Sequence, residues 1–127
     1  MSAPPKWAQD LILDALVFLG HEDVPALTWH RSRSRYSHGK TQLQAGKGRI
    51  FITAGSYRLD AKMLVLHELA HHVTQAWHTA AFWDTAWVLY RWAKLPVKYV
   101  KAREGNFRKG ALVAYRRNLR SGRKGIH

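Results

Sequence analysis

Met63-Leu64-Val65-Leu66-His67-Glu68-Leu69-Ala70-His71-His72-Val73 is the stretch on which the reading of this chain turns. Met63, Leu66, Ala70 and Val73 recur at helical spacing and form one apolar stripe, which predicts a helix central to the core. Asp60 is placed to cap that helix, which should run to about Gln75. His67 and His71 are four residues apart, so on a helix they project from one face a turn apart, and both imidazoles can reach a single tetrahedral ion. Glu68 stands beside His67 and can approach a metal-activated water without occupying a coordination position. Burying these ionisable groups in so apolar a helix would be costly without a metal or other partners. The pattern therefore points to a hydrolytic zinc centre with His67 and His71 as ligands and Glu68 as general base.

A catalytic zinc ordinarily takes three protein ligands, and His78 is the first candidate for the third. Continued on one straight helix, His78 would point within about 20° of His67 but lie about 16 Å further along the axis. It can share the ion only if the helix ends soon after His71 and the chain folds back, a break for which Thr74, Gln75 and Thr79 provide suitable residues. Asp84 and Glu104 compete for the role, although the basic, glycine-containing surroundings of Glu104 predict that it is exposed. His72 faces away from the His67/His71 pair, and a structural or solvent role is expected of it.

Working outward, residues 7–19 bring Trp7, Leu11, Ala15 and Phe18 near helical spacing between Pro4-Pro5 and Gly20, which predicts a first helix. Leu27 and Trp29 alternate with Thr28 and His30 in a strand over 26–33. Segments 40–44 and 49–53 flank Ala45-Gly46-Lys47-Gly48 as a hairpin, with Ile50, Phe51 and Ile52 marking the better-buried strand. After the central helix, Thr79 can cap a further helix to about Lys94, presenting Phe82, Ala86, Leu89 and Ala93 on one face and Trp83, Trp87 and Tyr90 on the next. Pro96 breaks it, and a short helix over 110–119 is expected in the segment beyond. The expected architecture is α+β: an N-terminal helix, a small antiparallel sheet, the histidine-bearing helix, a supporting helix and a basic C-terminal extension, divided as 1–95 and 96–127.

The chain has 127 residues, 46% of them hydrophobic, enough for one compact core but cramped for two. It contains no cysteine, so any metal must be held by His, Asp or Glu, and a reducing, intracellular setting is favoured. No signal-like leader and no run of about 18 apolar residues is present, so a soluble cytoplasmic protein without membrane contact is expected. The net charge of +13 is unevenly distributed. From Pro96 onward ten Lys or Arg oppose the single acid Glu104, for +9, while the preceding 95 residues carry only +4. Lys98, Lys101, Arg103, Arg108, Lys109, Arg116, Arg117 and Arg120 are therefore the candidate contacts to phosphate, where binding gains from counterion release. Tyr99, Phe107 and Tyr115 among them are placed to stack on exposed bases.

Leu66-His67-Glu68-Leu69-Ala70-His71 followed by His78-Thr79-Ala80-Ala81-Phe82-Trp83 resembles the SprT-like zincin metallopeptidases and related short metallohydrolases of actinobacteria and their phages. In that group a third His opens a His-Gly-x-x-Phe segment after the active helix, matched here at His78 and Phe82, with Thr79 in place of the usual Gly. Gly39 and the strand over 49–53 also fit the family's order of elements, and the resemblance spans about residues 7–92. It implies a zincin-like fold, a zinc ion on His67, His71 and His78, Glu68 as general base, and hydrolysis of peptide bonds. A metzincin pattern fits less well, because Thr74 and Trp77 stand where it requires Gly and His, and no Cys-rich module follows.

Many SprT-like proteins act on DNA or on proteins attached to it, which suits the basic extension. The expected partners are thus a protein or peptide substrate and DNA or RNA, with the chain a monomer in the cytoplasm, or in a host's cytoplasm if phage-encoded. Two other readings remain open at this stage: a nucleic-acid-binding protein with a purely structural zinc, and a metallohydrolase of a non-peptide amide. Arg35 and Tyr36 are candidates for stabilising an oxyanion, with surface or nucleic-acid contact the competing role.

Overall fold

The computed structural model describes residues 3–44 and 46–105, together with positions 110, 113 and 116. The chain divides into two compact units, Met1–Gln75 and Ala76–His127.

In the first unit, α1 (Lys6–Leu19) begins after Pro5 and ends at Gly20, whose φ of 67° supplies the left-handed residue that closes a helix. Its core face is Ala8, Ile12, Ala15 and Leu16, while Leu13 is exposed. Apart from Ala15, the buried positions are those just after the ones the spacing suggested, so the inward face is rotated about the helix axis. Three strands follow: β1 (Ala26–Arg31), β2 (His38–Gln42) and β3 (Arg49–Ala54). β3 occupies the centre, antiparallel to β2 and parallel to β1, in the order β1-β3-β2. The sheet is therefore mixed, which corrects the expectation of an antiparallel one. The hairpin makes β2 and β3 antiparallel neighbours, and the preceding reversal over 32–37 sets β1 opposite in direction to β2. Two successive reversals leave β1 and β3 running the same way, and β3, with Ile50 and Ile52 fully buried, is the strand paired on both sides.

β2 starts two residues before the expected segment and ends at Gln42. Beyond it Lys47 N donates to Gln44 O across the turn, and Gly46 takes φ 76° there. β1 ends at Arg31, two residues early, and the 32–37 connection is organised by Ser32 and Ser34 side chains that accept from the Ser34 and Tyr36 amides.

α2 (Arg58–Thr74) carries the decisive stretch. Asp60 does not cap it. Tyr57 is the residue before the helix, and Asp60 lies within the first turn, fully buried, where Oδ2 accepts the Ser37 amide at 2.7 Å. A carboxylate that satisfies a backbone donor of another segment fastens the helix start to the loop before β2. Met63, Leu64, Val65, Leu66, Leu69 and Ala70 are all buried, and with Asp60, His67, Glu68, His71 and His72 also buried α2 is enclosed nearly all round, as expected of a central helix.

In the second unit, α3 (Ala80–Trp92) is capped as expected, Thr79 Oγ1 accepting from Phe82 N at 3.3 Å. Phe82, Trp83, Ala86, Trp87, Leu89 and Tyr90 are buried, so both adjoining faces read from the sequence lie in the core. The helix closes through Lys94 at φ 59° and the Leu95 amide, which donates to Tyr90 O. After Pro96 the chain is helical again, in α4 (Val97–Val100) and the π-helical turn Lys101–Gly105. Gly110, Val113 and Arg116 have helical backbone, and the remainder of the helix expected over 110–119 lies outside the described residues. Among the described residues no helix is long and apolar enough to cross a membrane.

Candidate metal centre

α2 places His67 and His71 one turn apart, and their rings meet edge to face with centroids 5.1 Å apart. Both are buried, at 6% and 3% exposure. The helix then ends at Thr74, before His78. Gln75 adopts the left-handed conformation at φ 51°, its side-chain Nε2 donates to His72 O, and Thr74 Oγ1 donates to Ala70 O. The Gln75 side chain thus meets one of the carbonyls that a helix C-terminus leaves without partners, while Thr74 bonds back within the helix. Three residues later comes His78, exposed, its ring stacked on Trp83 at 5.3 Å and 21° and edge-on to Phe82 at 5.0 Å.

One nitrogen from each of His67, His71 and His78 lies within 4.8 Å of the others, a grouping that can hold a metal ion. The donors are three imidazoles with no carboxylate or thiolate among them. As neutral ligands they would leave the full charge of a divalent ion uncompensated by the protein. Two members are buried and the third is exposed, so the set joins a desolvated helix face to solvent. Neither Asp84 nor Glu104 belongs to it.

Glu68 is 4% exposed and is held from β2. Thr41 Oγ1 lies 2.7 Å from Glu68 Oε1 and 3.0 Å from Glu68 O, and its single proton favours the nearer, charged oxygen. Gly39, two residues earlier on the same strand, is required by close approach. A Cβ there would stand 3.1 Å from Glu68 Cγ and 2.7 Å from Phe51 O. The strand therefore fixes the carboxylate twice, by leaving it room and by donating to it.

No protein-family model, curated protein or solved structure matches the chain. The residues themselves carry the functional reading.

Several other sequence candidates lie elsewhere. Glu104 is buried, contrary to its basic surroundings, because the π-helical turn directs it inward, where Oε2 accepts from the Tyr90 hydroxyl at 2.9 Å. Tyr36 is exposed, and the Arg35 guanidinium lies over the Tyr57 ring at 4.3 Å. Of the basic candidates, Lys98, Lys101 and Arg116 are exposed and Arg103 is half-buried, while Arg108, Lys109, Arg117 and Arg120 lie outside the described residues, as do Phe107 and Tyr115. Sequence reading missed Thr41, for which a threonine on a short strand gives no signal. It also missed a second donor group, His21, Asp23 and His72, whose only trace in the sequence is a His-x-Asp run that ends 49 residues before the second of two consecutive helix histidines.

Proposed function

We propose that the chain is a zinc-dependent hydrolase that cleaves amide bonds, most simply peptide bonds, with Glu68 as general base. The observation that carries the reading is the convergence of the His67, His71 and His78 nitrogens within 4.8 Å, next to a carboxylate buried and oriented by Thr41. His67, His71 and His78 would hold the ion. When bound, zinc supplies Lewis acidity that lowers the pKa of a water to about 7 and polarises the substrate carbonyl. Glu68 takes a proton from the attacking water and returns it to the leaving amine, a role that needs a carboxylate able to be both base and acid. The Thr41 hydroxyl donates to Glu68 Oε1 and restricts the rotation of the carboxylate. The preference for peptide bonds rests on the resemblance of the His67-to-Trp83 segment to SprT-like metallopeptidases.

Replacement of Glu68 by Gln tests the assignment. The variant should bind zinc with unchanged stoichiometry while peptide hydrolysis falls by about 10²–10⁴-fold. Cleavage at the wild-type rate would remove Glu68 as the base, and a purely structural zinc would leave the protein's other activities untouched in the same variant.

We further propose that the hydrolase works on proteins held at nucleic acid. The supporting observation is the +9 charge from Pro96 onward, together with the exposure of Lys98, Lys101 and Arg116. Affinity for a DNA duplex should then fall linearly with log salt, with a slope of about −0.9 per phosphate neutralised. A salt-independent association would contradict it.

A further inference from the structure

His72 directly follows the ligand His71, about 100° further round the helix, and so presents its ring to the opposite side of α2. There it is fully buried beside the connection between α1 and β1. Its Nε2 lies 2.7 Å from Asp23 O and 3.8 Å from Asp23 Oδ2, and the His21 ring meets it edge to face at 5.6 Å. One donor atom from each of His21, Asp23 and His72 lies within 4.8 Å of the others. Among the described residues the buried side-chain nitrogens without a hydrogen-bond partner are His21 Nε2 and His72 Nδ1, both members of this cluster. A buried polar atom left unpaired costs about 1–3 kcal/mol, and His21 Nε2, beside Asp23 and His72, is the one whose lone pair a bound ion would satisfy.

We propose that His21, Asp23 and His72 bind a second divalent metal ion, of the zinc class, that fastens α2 to the rest of its unit. Two imidazoles and a carboxylate are an established zinc donor set. Tetrahedral bonds of about 2.0–2.1 Å place donor atoms about 3.3 Å apart, so the Asp23 Oδ2 to His72 Nε2 pair at 3.8 Å closes by only a fraction of an ångström. His72 is steered to use Nε2, because the other ring nitrogen packs against residue 48, where any Cβ would collide with Nδ1 and only glycine fits. Ligation through Nε2 replaces its 2.7 Å contact to Asp23 O and leaves the ring's proton on Nδ1, so the imidazole stays neutral. His21 contributes the lone pair of a nitrogen that otherwise meets nothing. Asp23 is already aimed, since its Oδ2 accepts the Gly46 amide at 3.0 Å, the type of outer hydrogen bond that orients metal carboxylates. The ion would tie together three segments: residues 21–23, the turn between β2 and β3, and the helix that carries His67, Glu68 and His71. It stands apart from the hydrolytic reading and does not depend on it.

Zinc titration of the metal-free full-length chain by calorimetry, with thermal melts of the same samples, tests the proposal. Wild type should bind two equivalents, and the His67→Ala/His71→Ala chain should retain one and melt higher when zinc is added. Adding His21→Ala and Asp23→Asn, half-buried positions outside the helices and strands, should abolish that equivalent, weaken zinc by at least about 100-fold and remove the thermal gain. A His67→Ala/His71→Ala chain that keeps its far-UV circular dichroism and binds no zinc overturns the second site. So does a fourfold variant that still binds one equivalent.

Discussion

Thr41→Val is the perturbation that most sharply separates a positioned general base from an incidental buried carboxylate. Valine preserves the β-branched shape and removes only the hydroxyl, which donates across 2.7 Å to Glu68 Oε1 where Glu68 is 4% exposed. Hydrogen bonds to charged groups contribute about 1.5–3 kcal/mol net, and burial here places the value well above that of a surface contact. The hydroxyl donates to the carboxylate and favours its ionised form, so its loss should disfavour that form. In the zinc-loaded chain the acid limb of the pH profile for peptide hydrolysis should therefore move to higher pH. Urea denaturation should show the variant destabilised by about 1.5–3 kcal/mol near neutral pH. The deficit should shrink as pH falls and Glu68 becomes protonated in both proteins, because the interaction lost is with the charged form. An acid limb that does not move, with stability within about 0.5 kcal/mol of wild type, would refute the claim that β2 tunes this carboxylate.

Three further outcomes follow from the same geometry. Gly39→Ala should destabilise the chain by about 1–3 kcal/mol and depress hydrolysis with little change in zinc stoichiometry, since the new Cβ would crowd Phe51 O and Glu68 Cγ; denaturation and metal content together check this. His78→Ala should weaken zinc at the His67/His71 pair by at least about 100-fold in competition with a chromophoric chelator, while equal affinity would transfer the third position to another group. Thr79→Ala should cost about 1 kcal/mol in urea denaturation through loss of the α3 cap.

The central helix, the first helix and the capped α3 were legible because each combines helical spacing with a stop or cap signal: Gly20 for α1 and Thr79 for α3. The closeness of His67 and His71 was legible for the same reason, since four-residue spacing on a helix fixes two side chains in space without any tertiary information. What the sequence could not convey was long-range pairing. The parallel registry of β1 with β3 depends on which strand takes the centre, and nothing local to residues 26–31 records it. Asp60 looked like a cap because it is an acid at a helix start, but the Ser37 amide, 23 residues away, claimed it. Glu104 was misread as exposed because its neighbours in sequence are polar, whereas its burial comes from the helical path after Pro96 and the Tyr90 hydroxyl. The His21, Asp23 and His72 group was hidden by a separation of 49 residues between its outer members and the helix.

The central claim is that His67, His71 and His78 hold the ion beside which Glu68 works. Anomalous diffraction at the zinc absorption edge, from crystals of the zinc-loaded full-length chain, tests it most directly. The account predicts a peak about 2.0–2.1 Å from one nitrogen of each of the three histidines. A map with no peak there, or with zinc bound to His67 and His71 but with His78 turned away, would contradict it.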